Sequence, residues 1–359
     1  MNPLESQLLY PFGDTLPGSG SVKDIAPGVK WLRMALPFAL NHVNLWMLED
    51  EIAGQAGWTI VDCGIDNDST RAAWEQVFAH HLQGRPVLRV IATHYHPDHL
   101  GAARWLCDRW TVPLWMTAGE YAFARVYSAA LEGADGESMM AHFRRHGATE
   151  NEVAQLEERR AYYPRLVPAI PTSYVRLRDQ ELLRIGKHRW RVITGFGHSP
   201  EHASLYNEAS GLLISGDMVL PRISTNVSVF SMEPEADPVQ AYLDSLQKLA
   251  SLPDDTLVLP SHGKPFRGLH TRTGQLRDHH AARLAEVWAA CAQPCSAVDI
   301  LPVMFKRTLD AHQLSFALGE AIAHLHQLWL SGRLERTLED DGVYRFSQSE
   351  YPREVFKPS

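Results

Sequence analysis

The 359-residue sequence is poor in cysteine, has no excess of positive charge and lacks long apolar stretches. Its four cysteines are scattered without the spacing of zinc ligands, which argues against a zinc finger and predicts reduced thiols: Cys63, Cys107, Cys291 and Cys295. Acidic residues exceed lysine plus arginine by 42 − 34 = 8, so the chain offers no general attraction for nucleic acid or an anionic membrane.

Targeting and membrane signals are also missing from the sequence. Residues 1–6 have neither a basic segment nor an apolar one, and no later stretch is continuously apolar over the length of a membrane span. We therefore expect a cytoplasmic protein without a membrane partner. No G-x-S-x-G elbow occurs, and the glycines of residues 18–20 and 195–197 lack a phosphate-loop context, so a serine nucleophile is not expected.

Histidine, in contrast, is abundant, and three of the 18 histidines lie with one carboxylate in residues 94–99. Residues 87–92 are mostly apolar and β-branched, which predicts a buried strand directly before this cluster. A single histidine is more often a packed residue than a ligand. Burying four such groups together without a metal would cost several kcal/mol. Because no cysteine is present, the cluster predicts an open, catalytic metal site.

The H-x-H-x-D-H pattern of His94, His96, Asp98 and His99 resembles that of the metallo-β-lactamase fold superfamily of metal-dependent hydrolases. In that family the remaining ligands are a His, an Asp and a His that follow later strands. This sequence offers His198, Asp217 and His262 in that order, each directly after an apolar run. The resemblance implies an α/β fold, the αββα sandwich of two mixed sheets flanked by helices.

The resemblance also implies two divalent ions, zinc first, with iron or manganese also accepted by such donors. One ion would be held by His94, His96 and His198, the other by Asp98, His99 and His262, and Asp217 would bridge them. Asp98 and Asp217 would act in catalysis.

Four further residues are predicted around these ligands. The resemblance implies that Asp62 supports them, with an ordinary turn carboxylate as the alternative. His202 would support the ligands, line the substrate pocket or be a buried, hydrogen-bonded histidine. Arg222 and Asn226 lie in a polar loop that we expect to border the cleft.

Composition and periodicity predict two domains, a catalytic domain over residues 1–270 and a C-terminal domain over residues 271–359. A helical insertion is predicted at about residues 117–170. There Thr117 with Glu120, and Thr149 with Glu152, have the spacing of capping boxes, and residues 162–164 would end the second helix. Such a hairpin would cover the metal cleft, form a dimer contact or be an inert elaboration.

The C-terminal domain is predicted to contain three helices, two of them capped by Ser296 and Asp310, and a hairpin with an Asp-Gly turn. This winged-helix-like α+β pattern is similar to that of the lactamase-β-2-like branch, some members of which cut RNA. Residues 296–346 have a net charge of 5 − 7 = −2. A structural or dimerisation role is therefore favoured over a grip on nucleic acid.

The function expected from the sequence is hydrolysis of a small-molecule thioester or ester by hydroxide formed at a dinuclear metal site. Acyl-CoA, glutathione thioesters and lactones are the substrate classes considered. An endoribonuclease is the alternative. A mononuclear-iron sulfur dioxygenase and a non-catalytic ligand sensor rank lower, because all seven ligand positions are filled. A homodimer is the protein partner considered.

Overall fold

The structure is a computed structural model and describes residues 4–156 and 162–350. The strands are β1 (Val22–Ala26), β2 (Val29–Ala35), β3 (His42–Ile52), β4 (Gln55–Val61), β5 (Val87–Ile91), β6 (Leu114–Met116), β7 (Tyr174–Arg176), β8 (Leu182–Ile185), β9 (His188–Gly195), β10 (His202–Asn207), β11 (Leu212–Gly216), β12 (Leu257–Pro260), β13 (Leu334–Leu338) and β14 (Tyr344–Gln348). The helices are α1 (Asp68–His81), α2 (Pro97–Leu100), α3 (Ala103–Trp110), α4 (Ala118–Ser128), α5 (Gly136–Arg145), α6 (Glu150–Leu156), α7 (Tyr162–Leu166), α8 (Pro238–Leu249), α9 (Leu269–Ala290), α10 (Ala297–Met304) and α11 (Ala311–Leu330).

The described residues fall into two compact units that interleave along the chain. Those within 1–129, 163–225 and 245–273 form the first unit, and those within 130–162, 226–244 and 274–359 form the second. The division into domains at residue 270 and the role of residues 117–170 stay predictions. No helix in the described part of the chain is both long enough and apolar enough to cross a bilayer.

The first unit is built on two mixed sheets. One has the order β1-β2-β3-β4-β5-β6-β7 and the other β12-β11-β10-β9-β8. The pairs β4–β5, β5–β6, β6–β7 and β11–β12 are parallel, and the others are antiparallel. Buried apolar side chains from both sheets form one core, which includes Trp31, Trp46, Ile91, Trp190, Leu205 and Ile214. A second core on the other face of the larger sheet contains side chains of α1 and α3. The predicted sandwich is confirmed.

A buried ion pair links the two sheets. Arg89 of β5 lies 2.8 Å from Asp50 of β3 and also donates to the carbonyl of Arg184 in β8. The same Asp50 carboxylate accepts from Thr59 in β4 at 2.6 Å and from the backbone N–H of Gly186, in the turn after β8, at 2.7 Å. The carboxylate is therefore satisfied by groups from both layers, and its burial depends on all of them.

Several helix starts predicted from capping residues are confirmed, and one predicted helix end is wrong. Asp310 caps α11, while Ser296 with Asp299, and Thr149 with Glu152, form capping boxes. Helix α1 is capped by Asn67, which has extended backbone and accepts from the N–H of Thr70 at 2.8 Å.

Residues 162–164 do not end a helix but begin α7, since a proline is tolerated in a first helical turn. The predicted helix also covers residues 157–161, which lie outside the described residues. The predicted three helices and hairpin near the C-terminus are present as α9 to α11 and the antiparallel pair of β13 and β14, and all of these residues except the first turn of α9 belong to the second unit.

We expect Arg89→Ala to destabilise the protein by about 3–5 kcal/mol, because it leaves the Asp50 carboxylate buried without its cation. Asp24→Ala is the control, since it removes an exposed partner of Lys30 and should cost less than about 1 kcal/mol. Urea unfolding of both variants measures the difference. Equal losses would contradict this role of the buried pair.

Candidate metal centre

The predicted ligands lie on loops that follow strands of both sheets in the first unit. His94, His96, Asp98 and His99 come after β5, and Asp98 and His99 lie in α2, which His96 precedes. His198 follows β9, whereas Asp217 and His262 directly follow β11 and β12. The structure brings all seven together in two groups, with the potential ligand atoms of each group within 4.8 Å of one another.

The first group contains His94, His96, His198 and Asp217. Nε2 of His94 lies 3.0 Å from Nδ1 of His96 and 3.3 Å from Nε2 of His198. Oδ2 of Asp217 lies 3.5 Å from Nε2 of His198. Three imidazole nitrogens and one carboxylate oxygen thus converge on a small volume, a donor set that suits zinc, iron or manganese.

The second group contains Asp98, His99 and His262. Oδ2 of Asp98 lies 3.4 Å from Nε2 of His99 and 3.3 Å from Nε2 of His262. Asp217 also reaches this group, because its Oδ1 lies 3.4 Å from Nε2 of His262 and its Oδ2 lies 3.7 Å from Nε2 of His99. Asp217 is therefore placed where a carboxylate could contact an ion in either group.

The hydrogen bonds around these groups test whether they fit a cation. Nδ1 of His262 lies 2.7 Å from the carbonyl oxygen of His42, which can only accept, so this nitrogen is the protonated one. Once Nε2 of His262 is deprotonated, as metal binding requires, its lone pair faces two carboxylates. Nε2 of His99 and Oδ1 of Asp217 are buried and make no hydrogen bond of normal geometry among the described residues. A bound cation would satisfy all of these atoms, so the residues fit a metal.

Electrostatics differ between the two groups in the ion-free protein. In the first group, burial lowers the pKa of His96 to about 3 and lowers the pKa of His94 as well. In the second group burial opposes protonation, but the carboxylates of Asp217 and Asp98 raise the pKa of His262 to about 10. The pKa of His99 is raised in the same way, against burial, by the same two carboxylates. At neutral pH His94 and His96 are therefore deprotonated, whereas His99 and His262 hold protons.

Asp62 and His202, for each of which support of the ligands was one predicted alternative, are both buried. Asp62 has a positive φ of 63°, and its Oδ2 lies 2.8 Å from Nδ1 of His99 while its Oδ1 accepts from the N–H of Thr93. This bond directs Nε2 of His99 towards the second group. Nε2 of His202 accepts from the N–H of Asp217 at 3.2 Å, so His202 holds the backbone of that ligand.

The two predicted pocket residues, Arg222 and Asn226, belong to different units. Arg222 has a side chain that is 70% exposed, and it lies 3.9 Å from Glu5. Asn226 belongs to the second unit, where it accepts from Ser228 at 2.8 Å. The expectation that these two residues border the cleft stays a prediction.

Sequence reasoning missed two buried residues that hold ligand loops. Asn44 of β3 donates to the carbonyls of Pro260 and Gly263, on either side of His262. The available signal was a lone polar residue within the apolar run of β3. Glu120 was predicted to complete a capping box with Thr117, and this is wrong. Glu120 is fully buried and accepts bonds from two ligand loops instead.

This constellation, on strand ends of an αββα sandwich, defines the class of metal-dependent hydrolases. Residues 40–262 match the family described as the metallo-beta-lactamase superfamily, and residues 284–349 match the metallo-beta-lactamase-like C-terminal domain. The chain belongs to the metallo-beta-lactamase superfamily and is a metal-dependent hydrolase of it. The resemblance inferred from the sequence is therefore confirmed.

Three relatives span nearly the whole chain. A beta-lactamase domain protein from Burkholderia ambifaria is 58% identical, with a TM-score of 0.92 over 97% of this chain and 100% of its own. A metallo-beta-lactamase family protein from Thermus thermophilus is 28% identical, with a TM-score of 0.76 over 90% of this chain and 100% of its own. The probable metallo-hydrolase YqjP of Bacillus subtilis is 22% identical over 87% of this chain and 96% of its own.

We expect Asp62→Ala to lower metal affinity in the second group by about 10–100-fold, because His99 loses the hydrogen bond that orients it. Asp66→Ala is a matched control, since that carboxylate pairs with Arg71 and not with a ligand. Competition with a chromophoric chelator measures both affinities. Equal affinities in the two variants would argue against the orienting role of Asp62.

Metal binding should depend on pH differently in the two groups. An ion that enters the second group must displace the protons that His262 and His99 hold at pH 7, so its affinity should rise by about tenfold per pH unit for each proton released. An ion in the first group displaces no proton from His94 or His96, so its affinity should change less with pH. His198→Ala isolates the second group and His262→Ala the first, and calorimetry in buffers of different ionisation enthalpy counts the protons. If His262→Ala released more protons on metal binding than His198→Ala, this assignment would be refuted.

Proposed function

We propose that the chain is a dinuclear metal-dependent hydrolase that cleaves a small-molecule thioester or ester, such as an acyl-CoA, a glutathione thioester or a lactone. The observation that supports a dinuclear site is the position of Asp217, whose two oxygens lie within 3.7 Å of ligand nitrogens in both groups. Zinc is the proposed ion, and iron and manganese suit the same donors.

We propose that the two groups of donors correspond to two ions. His94, His96 and His198 would hold one ion, Asp98, His99 and His262 the other, and Asp217 would contact both. Two such ions, when bound, lower the pKa of a water molecule and polarise a scissile carbonyl. A side-chain nucleophile is then unnecessary.

Asp98 and Asp217 are the carboxylates proposed to act on the reacting water. Burial opposes ionisation, but His99 and His262 hold the pKa of Asp98 well below its usual range, and the same histidines lower the pKa of Asp217. Both carboxylates are therefore charged at neutral pH. Asp98, whose side chain is 19% exposed, can accept a hydrogen bond from the attacking water and orient it.

The leaving group favours a thioester among the substrates considered. A thiol has a pKa of about 8.5, so the leaving group of a thioester departs as a thiolate without a general acid. The alkoxide leaving group of an ester needs a proton from a general acid. The carboxylates of the cluster are ionised and its imidazoles are assigned as ligands. A substrate whose leaving group needs no proton donor is the one that this arrangement suits best.

An endoribonuclease is the second candidate function, because the three helices and hairpin of the second unit are similar to a winged helix. Charge argues against it. Residues 296–346 have a net charge of 5 − 7 = −2. Two arginines of the second unit are already paired, Arg336 with Glu235 and Arg345 with Asp341. A structural or dimerisation role of this region is the more consistent proposal, since RNA binding requires a basic surface.

Thiol release from a panel of acyl-CoA and glutathione thioesters tests the proposal. Metal-loaded protein should release thiol, a chelator-treated sample should not, and a structured RNA should stay intact. Cleavage of the RNA without thiol release would reverse the ranking of the two functions.

Asp217→Ala should lower thioester turnover by more than about 100-fold, because it removes the carboxylate shared by both groups and not merely an outer hydrogen bond. Asp108→Ala is the control, since Asp108 is an exposed partner of Arg104. Initial rates at saturating metal measure the effect. Wild-type turnover in the Asp217 variant would contradict the shared ligand.

A further inference from the structure

Glu120, in the first turn of α4, is a buried carboxylate that joins two ligand loops. Its Oε2 accepts from the N–H of Tyr95 at 2.9 Å. Its Oε1 accepts from Oγ of Ser199 at 2.6 Å and from the N–H of Glu201 at 2.7 Å. All three donors point at one side chain that has no exposed surface.

The two loops bear three of the four donors in the first group. Tyr95 lies between His94 and His96, and Ser199 directly follows His198. The first loop follows β5 of one sheet, and the second follows β9 of the other. Glu120 therefore bonds across the gap between the two sheets, beside the ligands that must share one ion.

A second set of contacts fixes α4 against the same loop. The carboxylate of Glu201 accepts from the N–H of Gly119 at 2.8 Å, while Thr117 donates its hydroxyl proton to the carbonyl of Glu201. A Cβ at Gly119 would lie 3.1 Å from Cβ of Glu201, so the two segments are in close contact. Thr117 and Gly119 donate these two bonds to Glu201, whereas the N–H of Glu201 donates to Glu120. Bonds in both directions limit sliding of the helix along the loop.

The three bonds use the side chain of Glu120 as an acceptor. Three donors face two oxygens, and glutamine at this position would turn an NH₂ group towards at least one N–H or O–H. Burial raises the pKa of Glu120 to about 7, and the bonds from Ser199, Glu201 and Tyr95 oppose that rise. A buried charge is costly, so an uncharged apolar residue would serve better if this position were only part of the core.

We propose that Glu120 is a positioning residue for the first metal group and sets the spacing between the loop of His94 and His96 and the loop of His198. It touches neither an ion nor a substrate and acts through the backbone of the two loops. The inference rests on the proposed metal site and is independent of the proposed substrate.

The test uses cobalt(II) as a probe in His262→Ala, which isolates the first group. Adding Glu120→Gln should weaken cobalt binding by about 10–100-fold and shift the visible absorption bands, because the three imidazoles no longer meet at their present spacing. Glu152→Gln is the matched control. Its carboxylate also accepts from a backbone N–H and a hydroxyl, both of Thr149, but it holds no ligand loop.

Ser199→Ala provides a second variant in case Glu120→Gln folds poorly. It removes one donor and leaves the carboxylate, so it should change the cobalt spectrum in the same direction by a smaller amount. A purely structural role would lower the melting temperature without altering the spectrum of the folded protein. That result, or wild-type affinity in both variants, would overturn this inference alone. Wild-type protein that binds no ion would overturn the proposed metal site as well.

Discussion

The convergence of seven ionisable side chains, five buried and two partly buried, at the strand ends of one sandwich is the constraint on which the first unit depends. Without a cation, the lone pairs of imidazoles and the oxygens of carboxylates face each other at 3.0–3.7 Å. Such an arrangement is stable only if each loop is held from outside the cluster. The buried polar residues around the ligands provide that support.

Each ligand loop has its own anchor. Asp62 bonds to His99 and to the backbone of Thr93, and Asn44 bonds on both sides of His262. His202 holds the N–H of Asp217, and Glu120 joins the loop of His198 to the loop that follows β5. The anchors come from different strands and one helix, so the positions of the metal ligands depend on the packing of the whole sandwich. Preorganisation of this kind keeps the donors in place when no ion is bound.

The ligands could be predicted from the sequence because each lies directly after an apolar run, a local pattern that also defines a strand end. His198, Asp217 and His262 were assigned from the resemblance to the family, whose order of later ligands they match. Glu120 could not be predicted, because a Thr three residues before a Glu fits a helix cap equally well. Whether that glutamate turns outwards to the helix start or inwards to the ligand loops is decided by tertiary packing.

The same limit applies to larger features. Helix starts at Ser296 and Asp310 were predicted correctly, since capping depends on neighbouring residues alone. The pairing of Asp50 with Arg89 and the interleaving of the two units join segments far apart in the chain, which no short pattern encodes. The substrate cannot be predicted from the ligand motif either, because substrate choice depends on the surface around the site and not on the metal ligands.

Anomalous diffraction from crystals grown with zinc would test the central claim, a two-ion centre that shares Asp217, most directly. The account predicts two peaks about 3.5–4 Å apart. One should lie among His94, His96 and His198 and the other among Asp98, His99 and His262, with the Asp217 carboxylate in contact with both. A single peak, or two peaks with Asp217 bound to neither, would contradict it.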